Sequence, residues 1–206
     1  MLDSSETKAD LILASASPRR RELLRQIGIS YRVVVSDIDE TALAGEGPGD
    51  YVCRLAREKA LDVKQRDESN LPVLGADTAV IINAHILGKP ENRARAVEML
   101  EELSGCTHEV WSAVALLQPG GAVLERLNVT RVTFSVLDRA WIEAYCDSGD
   151  PMDKAGAYGV QGMAAQKISQ IEGSYSGVMG LPIYETSEIL TEAGLLNQFE
   201  PGGSSK

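Results

Sequence analysis

The sequence predicts an α/β fold, because short apolar runs typical of strands alternate with segments of helical periodicity. An apolar run at 11–14 is followed by Ser17 and Pro18, which are typical of the N-cap and first position of a helix, and then by a second apolar run at 31–35. This order predicts a strand–helix–strand unit. The run at 73–82 is apolar almost throughout, which is typical of a strand buried on both faces of a sheet.

The remaining elements follow from the same two patterns. Apolar residues at three-to-four spacing predict further helices through 52–63, 96–103, 141–145 and 183–190. Short apolar or alternating runs predict further strands at 86–87, 110–117, 123–136 and 167–171, the middle two joined by a hairpin turn at 118–121. The segment 150–162 has neither period and is rich in glycine, so we expect an ordered loop of the kind that often carries function.

Composition limits the kinds of partner. The chain has 206 residues, of which 20 are Lys or Arg and 30 are Asp or Glu, so its formal net charge is −10. A net anion repels nucleic acids and anionic membrane surfaces, so we expect neither as a partner. Small anions are still acceptable ligands where positive charge is concentrated locally.

We expect one domain at 9–198, with a flexible leader at 1–8 and a flexible tail at 199–206. No apolar run reaches the roughly 18–20 residues that a membrane helix needs, and the start lacks the basic and apolar regions of a signal peptide. These observations predict a cytoplasmic protein. The three cysteines are widely spaced and form no CxxC pair, which argues against disulfides and structural zinc.

Three consecutive arginines, Arg19 to Arg21, stand at the predicted start of the first helix. Cations there oppose the positive end of the helix dipole, so the position predicts a negatively charged ligand. Together with the free backbone N–H groups of the helix and a capping Ser17, the guanidinium groups would form a site for a phosphate chain. A solvated basic turn is the alternative that this signal by itself leaves open.

Asp77 lies in the middle of the buried apolar run. An isolated buried carboxylate is costly, so Asp77 should be paired, bound to a metal, protonated or placed at the opening of a cleft. An Asp that caps a turn is the structural alternative. Lys59 lies on or beside the apolar stripe of its helix, where it either snorkels to solvent or contacts a ligand. Lys89 follows the short hairpin and would return near Asp77.

The acidic segment 37–40, which ends in Glu40, closes the second predicted strand, where a parallel arrangement brings it near the arginines. Hard carboxylate oxygens suit Mg²⁺ or Mn²⁺, which commonly bridge carboxylates and substrate phosphates. Without the neighbouring phosphate candidates, an exposed acidic turn would be the better interpretation of this segment.

Taken together, these motifs resemble those of the Maf family of nucleoside triphosphate pyrophosphatases, also called septum formation inhibitor proteins. The resemblance covers nearly the whole chain and rests on several motifs in a fixed order. They are LASASPRR at 13–20, SDIDE at 36–40, AREKA at 56–60, GADT at 75–78, GKP at 88–90, DKAGAYGVQG at 153–162 and GSYS at 173–176.

The resemblance implies an α/β fold like that of the inosine triphosphatase group, with an elongated mixed sheet flanked by helices and two lobes around a cleft, often as a homodimer. It implies hydrolysis of a nucleoside triphosphate substrate to the monophosphate and pyrophosphate, with Mg²⁺ or Mn²⁺ as cofactor. The loop at 153–162 resembles that of the branch acting on dTTP and UTP, whereas a sister branch prefers 7-methyl-GTP. A nucleotide-sensing regulator of cell division without turnover is the alternative from another functional class.

The resemblance also implies roles for individual residues. Asp77 matches the proposed general base, and Glu40 with Asp77 the expected metal contacts. Substrate contacts are expected at Ser17, Arg19, Arg20, Lys59, Thr78, Lys89 and Gln161, of which Arg19, Thr78 and Gln161 match positions linked to substrate choice.

Overall fold

The computed structural model of the protein describes residues 9–196. The predicted flexible leader at 1–8 and flexible tail at 199–206 lie outside these residues, as do residues 197–198 of the predicted domain. Within the described range, no helix combines the length and the apolar character that crossing a membrane would require.

Seven strands and six helices, joined in places by 3₁₀ turns, make up the described part of the chain. The strands are β1 (Leu11–Leu13), β2 (Tyr31–Val33), β3 (Val73–Ile82), β4 (His85–Leu87), β5 (Thr107–Leu117), β6 (Val123–Phe134) and β7 (Ile168–Glu172). The helices are α1 (Pro18–Gln26), α2 (Pro48–Arg66), α3 (Arg93–Leu103), α4 (Arg139–Asp147), α5 (Tyr175–Met179) and α6 (Ile183–Glu192). The predicted α/β class is confirmed.

All seven strands belong to one mixed sheet with the order β2-β1-β3-β5-β6-β7, and β4 also pairs with β3. β1 is parallel to β2 and to β3, whereas the other pairs are antiparallel. The first pairing confirms the predicted strand–helix–strand unit. β5 and β6 form the predicted long hairpin, with a continuous register from Thr107 opposite Thr133 to Leu117 opposite Val123.

The two faces of β3 are covered by different elements, because successive side chains of a strand point to opposite faces. On one face, apolar residues of α2 pack with alternate residues of β3 and β5. The other face carries two larger apolar clusters. Leu74 and Ala76 belong to the cluster that includes α1 and α6, whereas Val80 and Ile82 belong to the cluster that includes α3 and α4. Thr78 lies between these two clusters.

One edge of β3 has a gap between its neighbouring strands. β1 pairs with Val73 and Leu74, and β4 pairs with residues 80–82. Within the described chain, residues 75–79 have no strand beside them on this edge, while β5 continues along the other edge. A cavity of about 660 Å³ opens at the gap and takes residues of both clusters into its wall. The cavity therefore corresponds to the predicted cleft between two lobes.

Helix α1 starts at the predicted residue, but its first turn has different hydrogen bonds from those predicted. Ser17 occupies the N-cap position and Pro18 the first helical position, but the Ser17 side chain makes no capping hydrogen bond. The hydroxyl of Ser15 takes part in the local bonds instead, accepting from the Ser17 N–H at 3.2 Å and from Arg20 Nη1 at 3.1 Å. The predicted capping role of Ser17 is therefore wrong.

β2 is shorter than predicted. It ends at Val33 because its partner β1 ends at Leu13, whose carbonyl accepts the last bond of this ladder from Val34 N at 3.1 Å. Within residues 9–196, no strand lies beside Val35, which is exposed. The second strand therefore ends where its neighbour ends, although its own sequence favours two more residues.

The segment predicted as an ordered loop at 150–162 contains two 3₁₀ turns, at Asp150–Asp153 and Ala155–Ala157. Such short turns leave no periodicity that a sequence pattern can detect. α5 was also missed, because it has only five residues and contains Gly177. Both departures lie beside the cavity.

Candidate active site

The cavity is lined by charged side chains from several separate parts of the chain. Five of them are cationic and three are acidic, so the cavity is locally positive in a protein whose net charge is −10. The cationic residues are Arg19, Arg20, Lys59, Lys89 and Lys154, and the acidic ones are Glu40, Asp77 and Asp153. A positive cavity in an acidic protein suits a compact polyanion.

Lys59 and Asp77 form a buried ion pair in the cavity wall. Lys59 Nζ lies 2.6 Å from Asp77 Oδ1 and 2.8 Å from Glu40 Oε1. The side chains of Lys59 and Asp77 are each 8% exposed, and that of Glu40 is 45% exposed. Lys59 therefore does not snorkel to solvent and Asp77 does not cap a turn. One ammonium group brings together the two carboxylates that were predicted as metal contacts.

The ionisation of the two carboxyl groups is set by burial and by these cations. Burial raises the pKa of Asp77 above its ordinary value, and the charges of Lys59 and Arg20 act against that rise. Burial also acts to raise the pKa of Glu40, but the hydrogen bond and the charge of Lys59 hold that pKa below its ordinary value. Asp77 is thus the more basic of the two carboxylates.

Arg20 is held in place by two oxygen atoms. Its Nε donates to the carbonyl of Gly180 at 2.8 Å, and its Nη1 donates to Ser15 Oγ at 3.1 Å. Burial lowers the pKa of Arg20, and the negative charges of Asp77 and Glu40 oppose that change. The guanidinium group is therefore fixed in the cavity beside both carboxylates, which is the geometry needed to receive a phosphate oxygen.

Asp77 and Thr78 are neighbours in β3, so their side chains point to opposite faces of the sheet. Both line the cavity, because the gap in the edge of β3 opens both faces to the same space. Thr78 Oγ1 lies 2.9 Å from Oγ of Ser112, the residue opposite it on β5. Sequence reasoning missed Ser112, although a serine inside the apolar run 110–117 is a detectable signal.

Arg19 lies at the rim of the cavity, where Nη1 is 3.7 Å from Asp153 Oδ2. Asp153 also accepts from Lys154 Nζ at 2.7 Å, and the stem of Lys154 packs closely over Gly159. Arg19 therefore joins the start of α1 to the glycine-rich segment. Sequence reasoning did not assign roles to Asp153 and Lys154, because their importance arises from this contact across the cavity.

The remaining predicted substrate contacts are Ser17, Lys89 and Gln161. Ser17 and Lys89 line the cavity, and Lys89 is exposed. Gln161 is exposed and is not part of the cavity wall, although Gly159 and Val160 just before it are. The structure thus brings together all the predicted site residues except Gln161, which lies next to the wall in the chain.

The cavity holds two carboxylates, Glu40 and Asp77, as oxygen donors for the expected divalent cation. Across residues 9–196, no group of three or more His, Cys, Asp or Glu side chains is arranged to hold a metal ion. Glu40 and Asp77 both contact the ammonium group of Lys59, so their carboxylate oxygens lie close together. Mg²⁺ is commonly held by one or two carboxylates together with substrate phosphates and water. These two residues therefore fit a cation that arrives with a phosphorylated ligand better than a permanent, fully protein-ligated site.

The fold and this site define a class of α/β protein in which several cations and a buried carboxylate line one cavity at the edge of a mixed sheet. The chain belongs to the Maf family, because the protein-family model described as "Maf-like protein" matches residues 10–193. A "dTTP/UTP pyrophosphatase" of Colwellia psychrerythraea is 48% identical over 200 residues, covering 95% of this chain and 94% of the relative. One of Bordetella pertussis is 50% identical over 193 residues, covering 90% and 93%.

Among solved structures, a HAM1 protein from Coxiella burnetii is 19% identical and has a TM-score of 0.49, covering 90% of this chain and 100% of that one.

Proposed function

We propose that this protein is a nucleoside triphosphate pyrophosphatase that hydrolyses dTTP and UTP to the monophosphate and pyrophosphate. The observation that carries the proposal is the convergence of Arg20, Lys59 and Lys89 with Asp77 and Glu40 on one cavity. The names and the 48–50% identity of the relatives over most of the chain support this substrate class.

The cations bind and orient the triphosphate. Arg20 is already fixed by Gly180 and Ser15, so it offers its remaining N–H groups without reorganisation. Lys89 is exposed and lines the same cavity, where its ammonium group can bind a phosphate oxygen. Positioning and charge stabilisation dominate phosphoryl transfer, so these contacts supply most of the expected rate enhancement.

Asp77 is the general base. Oδ1 is bonded to Lys59, and no residue in the described part of the chain donates to Oδ2, which leaves that oxygen to accept a proton from water. The water oxygen then forms the new bond to phosphorus, and the P–O bond to the departing pyrophosphate breaks. Burial raises the basicity of Asp77, which favours this proton transfer.

Glu40 and Asp77 would hold the divalent cation, which when bound supplies additional positive charge to the phosphate oxygens. Lys59 is bonded to both carboxylates. When the cation is bound, the ammonium group of Lys59 would contact the phosphate chain and remain close to Asp77. Mg²⁺ or Mn²⁺ remains a prediction that rests on the oxygen donors. The cytoplasm as compartment remains a prediction from the apolar patterning of the sequence, and a homodimer as assembly remains a prediction from the resemblance.

The direct test is an assay for pyrophosphate release with a full nucleotide panel and either Mg²⁺ or Mn²⁺. We expect dTTP and UTP to be the best substrates and to yield one pyrophosphate for each monophosphate. Preference for 7-methyl-GTP would contradict the choice of substrate. Tight nucleotide binding without any product would favour the nucleotide-sensing regulator.

A second test addresses the base. Asp77→Asn is expected to reduce kcat at least about 100-fold, because the amide cannot accept the proton, while the cations that bind the phosphates remain. Binding of dTTP, measured by titration calorimetry, should be largely retained. Asp147→Asn, which changes an exposed carboxylate on α4, is the matched control and should leave kcat unchanged. Substantial turnover by Asp77→Asn at saturating dTTP would contradict the base assignment.

A further inference from the structure

The hydroxyl group of Ser112 is buried in the sheet directly behind Thr78. Ser112 is 1% exposed, and its Oγ lies 2.7 Å from the carbonyl oxygen of Gly177 and 2.9 Å from Oγ1 of Thr78. A serine hydroxyl has one hydrogen to donate. How Ser112 uses this hydrogen determines what Thr78 offers to a ligand.

The contact with Gly177 settles the direction of the bonds. A carbonyl oxygen only accepts, so two oxygens 2.7 Å apart need the hydrogen of Ser112 between them. The bond between Thr78 and Ser112 must then use the hydrogen of Thr78. The chain of donation therefore runs from Thr78 to Ser112 and on to the carbonyl of Gly177 in α5.

Thr78 consequently presents only lone pairs to the cavity. Its hydrogen points into the protein, and no residue in the described part of the chain donates to its Oγ1. The carbonyl of Gly180, 3.4 Å away, is a weaker competitor for the same hydrogen and already accepts from Arg20 at 2.8 Å. Thr78 is thus a fixed acceptor in the wall of the cavity.

We propose that Ser112 is a positioning residue that makes the protein select thymine and uracil over cytosine, by fixing Thr78 as an acceptor for the N3–H of the base. This inference rests on the proposed function. Thymine and uracil carry a hydrogen on N3, whereas cytosine has a lone pair there. Cytosine is of nearly the same size as uracil, so size alone does not distinguish the two bases. Two facing acceptors leave the half-buried Thr78 hydroxyl without a hydrogen-bond partner from the base, which is the kind of mismatch that a polar site rejects.

The test is the ratio of kcat/KM for dTTP to kcat/KM for dCTP, measured for the parent protein and for Ser112→Ala. The ratio does not depend on the fraction of active protein, so a partly unfolded variant still reports specificity. In Ser112→Ala the hydrogen of Thr78 is released and can be donated to N3 of cytosine. We expect the ratio to fall about tenfold.

Thr186→Val is the matched control. Thr186 is fully buried and donates to the carbonyl of Pro182 at 2.7 Å, away from the cavity wall, so it loses a similar bond without any effect on Thr78. It should leave the ratio unchanged. Where Ser112→Ala shows no cooperative unfolding transition, Ser112→Cys replaces it, because the thiol fills the same space with a much weaker donor and acceptor.

The outcomes separate this inference from the proposed function. Hydrolysis of dTTP by the parent protein with an unchanged ratio in the Ser112 variants overturns the role of Ser112 alone. Hydrolysis of neither dTTP nor UTP by the parent protein overturns the proposed function, and the inference with it. A fall in the ratio for Thr186→Val of the same size would show a general loss of packing and would also overturn the role of Ser112.

Discussion

Lys59 and Asp77 stand 2.6 Å apart with their side chains almost excluded from solvent. Removing water from two charges is expensive, so such a pair adds little to stability by itself, but breaking it leaves an uncompensated buried charge. We expect Lys59→Met to lower the free energy of unfolding by about 3 kcal/mol and the double variant Lys59→Met/Asp77→Asn to recover part of that loss.

Denaturant titrations at pH 7 measure this double-mutant cycle. Arg93→Met is the control, because it breaks an ion pair of similar length whose side chains are 49% and 65% exposed, and it should cost much less. Equal losses for Lys59→Met and Arg93→Met would show that burial does not determine the energy of the pair. A double variant less stable than Lys59→Met would contradict the idea that the uncompensated charge causes the loss.

His108 predicts a pH dependence of stability. It is 2% exposed and stacks on Phe134, and Nε2 lies 2.7 Å from the hydroxyl of Tyr158 in the cavity wall. Burial lowers the pKa of His108 to about 4. In the unfolded chain it binds a proton near pH 6.5, so the unfolded state binds more protons between these values and stability falls as the pH decreases.

The expected loss from this histidine between pH 7 and pH 5 is about 2 kcal/mol in the free energy of unfolding. His108→Gln, which does not titrate, should lose correspondingly less over the same interval. The exposed His85 is present in both proteins and cancels in the comparison. Parallel stability curves for the two proteins would show that His108 stays protonatable in the fold.

At the scale of elements, the contact between α2 and β3 places Lys59 against Asp77. Gly75 allows this contact, since a Cβ at that position would lie 2.1 Å from the carbonyl oxygen of Ala56 and 3.0 Å from the backbone nitrogen of Ala60. Backbone atoms cannot yield as a flexible side chain does, so any larger residue pushes the helix away from the strand.

Gly75→Ala is therefore expected to lower the free energy of unfolding by about 3 kcal/mol and to reduce hydrolysis by separating Lys59 from Asp77. Thermal unfolding and the pyrophosphate assay measure the two effects. Gly120→Ala, at a hairpin position where a Cβ would meet nothing within 4 Å, is the control and should change neither. A Gly75→Ala protein with normal stability would contradict the close approach of α2.

At the scale of the whole molecule, the cavity lies between two apolar clusters on one face of the sheet. A ligand held there contacts both sides and should stabilise them as one unit. For Asp77→Asn with dTTP and Mg²⁺ at about 100 times the dissociation constant, we expect the free energy of unfolding to rise by about 2.7 kcal/mol. ATP at the same concentration serves as the control nucleotide and should stabilise less.

The two tryptophans test whether the ligand raises the free energy of unfolding of the whole molecule or only of one part. Trp111 lies on β5 on the face covered by α2, and Trp141 on α4 packs against the cluster that contains Val80. In Trp111→Phe and Trp141→Phe versions of the same protein, the remaining tryptophan should report the same shift of the denaturant midpoint. A shift seen by only one of them would show that the face covered by α2 and the cluster that contains Val80 unfold separately, and would contradict stabilisation of the molecule as one unit.

Local sequence determined most of the elements of this protein. Apolar periodicity and turn residues predicted the opening strand–helix–strand unit, the buried β3 and the β5–β6 hairpin, because each of these depends on neighbours in the chain. Broken local rules also located part of the site. The arginines at the start of α1, Lys59 on an apolar stripe and Asp77 in a buried strand are each unfavourable alone, and the structure places them on one cavity.

Tertiary structure decided what no local pattern contains. Successive side chains of β3 point to opposite faces of the sheet, so those of Asp77 and Thr78 are separated. Only the gap between β1 and β4 brings both to the same cavity. The direction of the bond between Thr78 and Ser112 likewise depends on a carbonyl of α5, which is 65 residues away from Ser112 in the chain. Strand edges and hydrogen-bond directions depend on which distant segments lie side by side, so they are settled when the sheet assembles.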